Sequence, residues 1–198
     1  SMPLEALGAL LGREEAIALK RRADGHGGST VRAAGPPKSI SRETTFPKDV
    51  TDLAVLDRML LLLTSRVAGQ LRDEGLQAGA VVLKLRHADF ATVTRRTTLT
   101  SPTTLDTELM AAARGLLAPA FAAARSQRQA VRLLGVAATA LGQIEAPDLF
   151  ESPARERARE VSRAVDAVRA RFGFEAMQSG RLVGRPDPRR GDAEGDDG

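Results

Sequence analysis

The stretch AVVLKLRHADFATVTRRTTL, residues 80–99, has the pattern of two consecutive β-strands. Apolar residues alternate with basic ones in its first half, which is typical of a strand with one buried face. The apolar residues are Val81, Leu83 and Leu85, and the basic residues are Lys84 and Arg86. A second run, ATVTRRTTL, follows closely enough to form a hairpin through residues 87–91. The sequence therefore predicts two antiparallel strands with one polar face.

Two helices and two further strands flank this hairpin. KSISRETTF, residues 38–46, alternates around Ile40 and predicts a first strand that Pro47 ends. Leucines and Val67 recur at three- and four-residue steps over about 51–74, which indicates an amphipathic helix. A second helix follows in SPTTLDTELMAAARGLLAPAF, and AVRLLGVAATAL predicts the last strand. The fold class is α+β, with β-α-β-β-α-β order: a four-stranded antiparallel sheet with two helices on one face.

Local signals mark where these helices begin and end. Gly75 can terminate the first long helix. Thr103 or Thr104 can cap the second, and Pro119 should kink or interrupt it. Ser152 and Pro153 are suited to open a third helix as N-cap and first helical residue.

The chain divides into six segments by composition and periodicity. The first is a helical segment at 1–26, with helix ends at Gly12 and Gly25, and the second is a Gly- and Pro-rich linker at 27–37. The β-α-β-β-α-β domain follows at 38–141. A connector at 142–152, a helix at 153–173 and a flexible polar tail at 174–198 complete the order.

Composition narrows the class of protein. The 198 residues include 42% hydrophobic residues but only 3% aromatic ones, so aliphatic side chains must fill the core. The absence of cysteine excludes disulfides, thiol nucleophiles and zinc–cysteine sites. The longest apolar runs are far shorter than the roughly 20 residues of a membrane span. We therefore expect a monomeric cytoplasmic protein with no membrane partner.

Positive charge is concentrated in the first two thirds of the chain. The residues before Gly142 include 19 basic and 13 acidic ones, whereas 10 basic and 12 acidic residues follow. Such an excess favours a nucleic-acid partner, and solubility alone is the alternative explanation.

No catalytic constellation is visible. His26 and His87 lie far apart beside loops, and a solvated turn is the expected setting for His87. A metal site built from His87 and Asp89 is a weak alternative, and GHGG lacks the spacing and the lysine of a phosphate-binding loop. We therefore expect neither catalytic nor metal-ligating residues in this chain.

A basic, hydroxyl-rich sheet face remains as the candidate site. It is expected to combine the polar residues of the first three strands, which suit contacts to a phosphate backbone. These residues are Lys38, Ser39, Ser41, Arg42, Lys84, Arg86, Thr94, Arg95, Arg96 and Thr97. RNA-recognition modules share this element order, but they stack bases on sheet aromatics, whereas here Phe46 and Phe90 stand only at strand ends.

Three motifs in order resemble the little finger domain of Y-family translesion DNA polymerases of the DNA polymerase IV type. They are KSISRETTFP, LRDEGLQAGAVVLKLRHADFATVTRRTTL and VRLLGVAATAL, and they cover residues 38–141. LEALGALLGREEAIALKRRADG resembles, more weakly, the end of the thumb of these polymerases. Residues 1–26 would then be a thumb remnant.

The resemblance implies a domain that holds primer–template DNA by its phosphates, associated with the nucleoid. It places Ser39, Ser41 and Arg42 of the first strand, and residues 94–97 of the third, at the DNA backbone. The parent polymerase would copy past damaged bases with low fidelity, using Mg²⁺ held by palm carboxylates. The palm is absent here, so this chain alone should be inactive and needs no cofactor.

PDLF, residues 147–150, resembles the end of the peptide that bacterial sliding clamps capture. Asp148, Leu149 and Phe150 match its last three positions, whereas Ala146 and Pro147 depart from it. Packing of Leu149 and Phe150 back onto the domain is the alternative. Two functions thus remain open: the DNA-holding module of a translesion polymerase, or a protein-interaction module in a catalytically inactive relative.

Overall fold

A computed structural model describes residues 2–26, 37–144, 152–180 and 182. The chain forms two compact units, Ser1–Pro36 and Pro37–Gly198. The first unit contains helices α1 (Leu4–Leu11) and α2 (Arg13–Ala23). Gly12 separates them with a φ of 88°, a conformation that glycine adopts at little cost. Gly25, with a φ of 79°, follows α2, so both predicted helix ends are confirmed.

The second unit has the predicted element order. It contains β1 (Ser39–Val50), α3 (Leu53–Asp73), β2 (Leu76–His87), β3 (Thr92–Thr103), α4 (Asp106–Ser126), β4 (Val131–Gln143) and α5 (Pro153–Phe172). The four strands form one antiparallel sheet in the order β1-β4-β2-β3. The predicted α+β class is confirmed.

One apolar layer joins α3 and α4 to the sheet. Leu60 and Val67 of α3 and Leu109 of α4 are at most 1% exposed, and they share a core with strand residues. Those strand residues include Ile40, Val81, Leu83, Leu85, Leu134 and Val136. Because every second residue of a strand faces the same side, the alternate residues form the opposite face of the sheet.

The first strand continues past Pro47, contrary to the prediction that it ends there. Pro47 lacks a backbone N–H, yet β1 is an edge strand, where one side of the backbone needs no sheet partner. The pairing of β1 with β4 shifts register between Thr45 and Val50. The proline thus lies in an irregular part of the strand, residues 46–49, where the regular pairing with β4 is interrupted.

Helix α4 is likewise continuous through Pro119, contrary to expectation. Pro119 lies on the exposed side, where water can hydrogen-bond the carbonyl group that loses its helical partner. Leu117 and Phe121 pack into the core on either side of it. Packing of the buried side of α4 therefore outweighs the lost hydrogen bond.

The N-terminus of α4 also differs from the prediction. Its N-cap residue is Leu105, which has no capping side chain. Thr103 instead accepts a hydrogen bond from the Leu105 amide at 3.1 Å, so it shapes the turn that precedes the helix.

His87 is buried rather than solvated, which overturns the sequence expectation. Only 4% of it is exposed, and its Nδ1 has no hydrogen-bond partner among the described residues. The cause is a register shift between Arg86 and His87, after which His87 pairs with Val131 of the core. The hairpin itself forms as predicted, since the His87 amide donates to the Ala91 carbonyl.

Helix α5 begins and ends where the sequence predicts. Ser152 Oγ accepts from the Arg155 amide at 3.4 Å, Pro153 is the first helical residue, and Gly173 ends the helix. The segment predicted to be a flexible tail does not begin at 174. Phe174–Ala176 form a 3-10 helix, and the Phe174 ring lies against the guanidinium groups of Arg66 and Arg169, at 4.6 and 4.2 Å.

Candidate nucleic-acid interface

The sheet face opposite α3 and α4 collects the polar residues of all four strands. We call it the open face and define it by the cross-strand pairing. Its residues are Ser39, Ser41, Glu43 and Thr45 of β1, Leu133, Gly135, Ala137 and Thr139 of β4, Ala80, Val82, Lys84 and Arg86 of β2, and Thr92, Thr94, Arg96 and Thr98 of β3. They form rows that run across the sheet, perpendicular to the strands.

Six of the ten predicted site residues lie on the open face. They are Ser39, Ser41, Lys84, Arg86, Thr94 and Arg96. Lys38 directly precedes β1 and is exposed. The open face thus presents three basic side chains among serine and threonine hydroxyls, an arrangement that can bind several phosphate groups at once.

Three predicted residues lie on the other side of the edge strands. Arg42 pairs with Val136, Arg95 with Leu83 and Thr97 with Val81, and each of these partners belongs to the core. The expectation that Ser41 and Arg42, or Arg95 and Arg96, share one face is therefore wrong, because adjacent strand residues point to opposite faces. Arg42 and Arg95 remain exposed at the two edges of the sheet.

Two polar contacts order the basic side chains of β2. Arg86 Nε donates to Thr92 Oγ1 at 3.0 Å, which holds the guanidinium toward β3. Lys84 Nζ donates to Glu43 Oε2 at 2.8 Å and forms an ion pair. Arg96 makes no ion pair or side-chain hydrogen bond with another residue of the described part of the chain.

Sequence reasoning did not single out Glu43. The available signal was its position two residues after Ser41 in β1, which places both on the same face. Gly135 gave a second signal, because a glycine inside a strand often marks a close approach of neighbouring groups. A Cβ at Gly135 would lie 3.0 Å from the Glu43 Cβ and 3.5 Å from the Lys84 Cβ.

Aromatic stacking is not available on the open face. Phe46 is 4% exposed and packs in the core. Phe90 is exposed at the β2–β3 turn, and the Arg132 guanidinium carbon lies 4.9 Å from its ring centroid. The chemistry of the face therefore favours charged and hydroxyl contacts over base stacking.

The remaining predicted features are located as follows. Asp148, Leu149 and Phe150 lie outside the described residues. In residues 2–26, 37–144 and 152–180, no group of three or more histidine and carboxylate side chains is arranged to hold a metal ion. In the same part of the chain, none of the helices is long and apolar enough to cross a membrane.

Residues 37–149 match the impB/mucB/samB family C-terminal domain. The chain belongs to this family. DNA polymerase IV of Desulfatibacillum aliphaticivorans is 38% identical over 157 residues, which cover 77% of this chain and 39% of the relative. For DNA polymerase IV of Caulobacter vibrioides the identity is 37% over 167 residues, with 83% and 40% covered.

A third relative, DNA polymerase IV 1 of Mesorhizobium japonicum, is 34% identical over 164 residues, which cover 80% of this chain and 36% of the relative. The chain spans about two fifths of the length of these relatives. The resemblance to Y-family polymerases of the DNA polymerase IV type is confirmed by these matches.

Proposed function

We propose that the open face grips primer–template DNA through its phosphates, as the little finger of a low-fidelity translesion DNA polymerase. The observation that carries this proposal is the grouping of Lys84, Arg86 and Arg96 with serine and threonine hydroxyls on one face of the sheet. Basic side chains neutralise phosphates and release counterions, while hydroxyl and backbone groups fix the register of the duplex.

Binding of this kind has no sequence preference. Phosphates and sugars carry no direct sequence information, and the open face has no aromatic platform for unstacked bases. A module that supports damage-tolerant synthesis must hold duplexes of any sequence near the growing end, and phosphate contacts meet that need.

The parent protein is, in this proposal, a cytoplasmic DNA-directed DNA polymerase of bacteria. The relatives are named DNA polymerase IV, and most of their length lies outside the matched part. Template-directed nucleotidyl transfer with two Mg²⁺ ions would take place in the remainder of the protein, and this chain alone would be inactive. A catalytically inactive parent is the alternative, and a complete sequence without palm carboxylates would favour it.

Fluorescence anisotropy with a labelled primer–template tests the proposed grip. The logarithm of the affinity should fall linearly with the logarithm of the salt concentration, with a slope of about −0.9 for each phosphate neutralised. Three to five contacts would therefore give a slope of about −2.7 to −4.5. Two duplexes of unrelated sequence should bind alike, and salt-independent binding or a preference for one duplex would contradict the proposal.

We also propose that the 142–152 connector binds the sliding clamp through Leu149 and Phe150. Two adjacent apolar anchors in an extended peptide can dominate the affinity for a groove. Replacing both residues by alanine should abolish clamp binding and leave the melting temperature nearly unchanged. If they instead pack on this domain, the loss of the buried phenylalanine alone would cost roughly 3–5 kcal/mol, and clamp binding would persist.

A further inference from the structure

Glu43 is the acidic residue of the open face. Among the paired residues of that face in the described strands, the others are basic, hydroxyl-bearing, apolar or glycine. A carboxylate there opposes phosphate binding, because its charge repels the same anions that the lysine and arginine side chains attract. Its presence on this face calls for a physical reason.

Glu43 and Lys84 are two strands apart. Strand β4 lies between them, and Gly135 occupies the position directly between the two side chains. Neighbouring strands are spaced about 4.8 Å apart, so the two backbones are separated by roughly 10 Å. The ion pair of 2.8 Å can cross that distance only because Gly135 has no side chain in the way.

We propose that Glu43 limits the strength of DNA binding by occupying the Lys84 ammonium group. This inference rests on the proposed grip of DNA by the open face. In the free protein the lysine is paired with a carboxylate, so a phosphate must displace Glu43 before it gains that contact. The pair therefore sets a lower affinity than the number of basic residues would give.

The exposure of the pair makes this displacement feasible. The Lys84 and Glu43 side chains are 35% and 51% exposed, so water and phosphate oxygens can reach both. Exposed ion pairs of this kind contribute little to stability, and the ammonium can exchange one oxygen partner for another. Glu43 is thus a positioning residue that acts on DNA through Lys84.

A weak grip suits a module that follows a moving primer end. Each translocation step requires phosphate contacts to break and form again one nucleotide further along. A carboxylate that competes for Lys84 accelerates release of that phosphate, because it supplies the ammonium with a new partner as the phosphate leaves.

The test is a double-mutant cycle of Glu43→Gln and Lys84→Met in the full chain, read by primer–template anisotropy over a salt series. Glu43→Gln keeps the side-chain length, Lys84→Met shortens the side chain by one atom, and each substitution removes one charge. We expect Glu43→Gln to tighten binding about two- to fivefold, the strength of an exposed ion pair, and to leave the salt slope within about 0.5 of the wild-type value, because the same phosphates are neutralised in both complexes. In the Lys84→Met background the same change should have less than half of that effect.

Glu160→Gln is the matched control. Glu160 is exposed on α5, which packs on the helix side of the domain, and it carries the same charge change away from the open face. We expect it to alter the affinity by less than about 1.5-fold, because charges beyond a Debye length are screened. Melting temperatures of all variants verify that the fold is retained.

Two results would overturn the proposal while leaving the DNA grip intact. One is a Glu43→Gln affinity equal to or weaker than that of the wild type. The other is a gain that persists undiminished without Lys84, which would indicate a general charge effect. Absence of salt-dependent binding in the wild type and in Glu160→Gln would instead contradict the DNA grip, and the role of Glu43 with it.

Discussion

Arg95 and Arg96 are adjacent in the sequence and yet face different environments. Arg96 pairs with Val82 on the open face, whereas Arg95 pairs with Leu83, a core residue on the helix side. Both are exposed because β3 is an edge strand. Two exposed arginines of equal charge thus differ mainly in the direction that their side chains take from the sheet.

Single substitutions of these arginines should separate their roles. Arg96→Ala is expected to weaken primer–template binding about three- to tenfold and to reduce the salt slope by about 0.9, because one phosphate contact is lost. Arg95→Ala removes the same charge from the other side and should change the affinity less than twofold. The free energy of unfolding of both variants should lie within about 0.5 kcal/mol of the wild-type value. Equal effects of the two on DNA binding would contradict the assigned open face.

The sequence predicted which residues of β2 face the core, but it did not predict this for the edge strands β1 and β3. In β2, Val81, Leu83 and Leu85 form an unbroken apolar face, which fixes the direction of Lys84 and Arg86. In β1 and β3 both sides of the strand are partly exposed, so polar residues occupy both sides. The sequence therefore does not show which residues face the helices. The contact between Glu43 and Lys84 joins two strands that are separated by β4, and no local sequence pattern predicts a contact between such strands.

Helix ends were more predictable from the sequence than strand ends. The ends of α5 at Ser152, Pro153 and Gly173 are set by capping and backbone conformation, which depend on a few neighbouring residues. Strand ends depend on pairing with distant residues. Strand β1 accordingly extends through Pro47, because β4 offers Val131 as a partner for Val50.

The sequence did not predict how α5 attaches to the domain, because contacts between charged side chains of distant elements hold it. Arg155 forms a bidentate ion pair with Glu108 of α4, with hydrogen bonds of 2.8 and 3.0 Å. Burial acts to raise the pKa of Glu108, but hydrogen bonds from Arg155 and Thr103 and the charges of Arg155 and Arg159 outweigh it, so the pKa is lowered overall.

The lowered pKa of Glu108 predicts that α5 is held less firmly in acid. A carboxyl whose pKa is lower in the folded state contributes stability above its ordinary value, near pH 4.5, and this contribution is lost as the pH falls through the lowered pKa. Since the pair is about one third exposed, we expect Glu108→Gln to cost about 0.5–1 kcal/mol at pH 7. The deficit should shrink below pH 4.5, as followed by melting temperature from pH 3 to 7. A constant deficit would show that Glu108 acts by packing alone.

Helix α5 adds a third layer to the second unit, next to α3 and α4. Arg72 of α3 is the centre of this contact, with Asp166 of α5 at 2.5 Å and Asp106 of α4 at 2.8 Å. Burial alone would lower the pKa of Arg72, but the hydrogen bonds and charges of Asp166 and Asp106 raise it overall, so it stays charged. The open face lies on the far side of the sheet from this network.

The charge of α5 makes its position relative to DNA testable. The helix carries six arginines and three acidic residues, so a helix that touched DNA would add to the salt slope. It also has no fully buried residue, and its removal leaves the sheet, α3 and α4 with their own core. Arg72 would keep Asp106 and the Thr104 carbonyl oxygen, at 2.7 Å, as partners. Loss of α5 should therefore not leave the charge of Arg72 without a partner.

We accordingly predict that a chain ending at Ile144 folds and binds primer–template DNA as the full chain does. The melting temperature should fall by about 5–10 °C, since the Asp166 pair and the partly buried Phe174 and Leu182 are lost. The DNA affinity should stay within twofold and the salt slope within about 0.5 of the full-length values. Calorimetry on the two chains gives the melting temperatures, and anisotropy gives the affinities and the salt slopes. A slope reduced by 1 or more would place α5 against DNA, and a chain that does not fold would make α5 part of the core rather than an added layer.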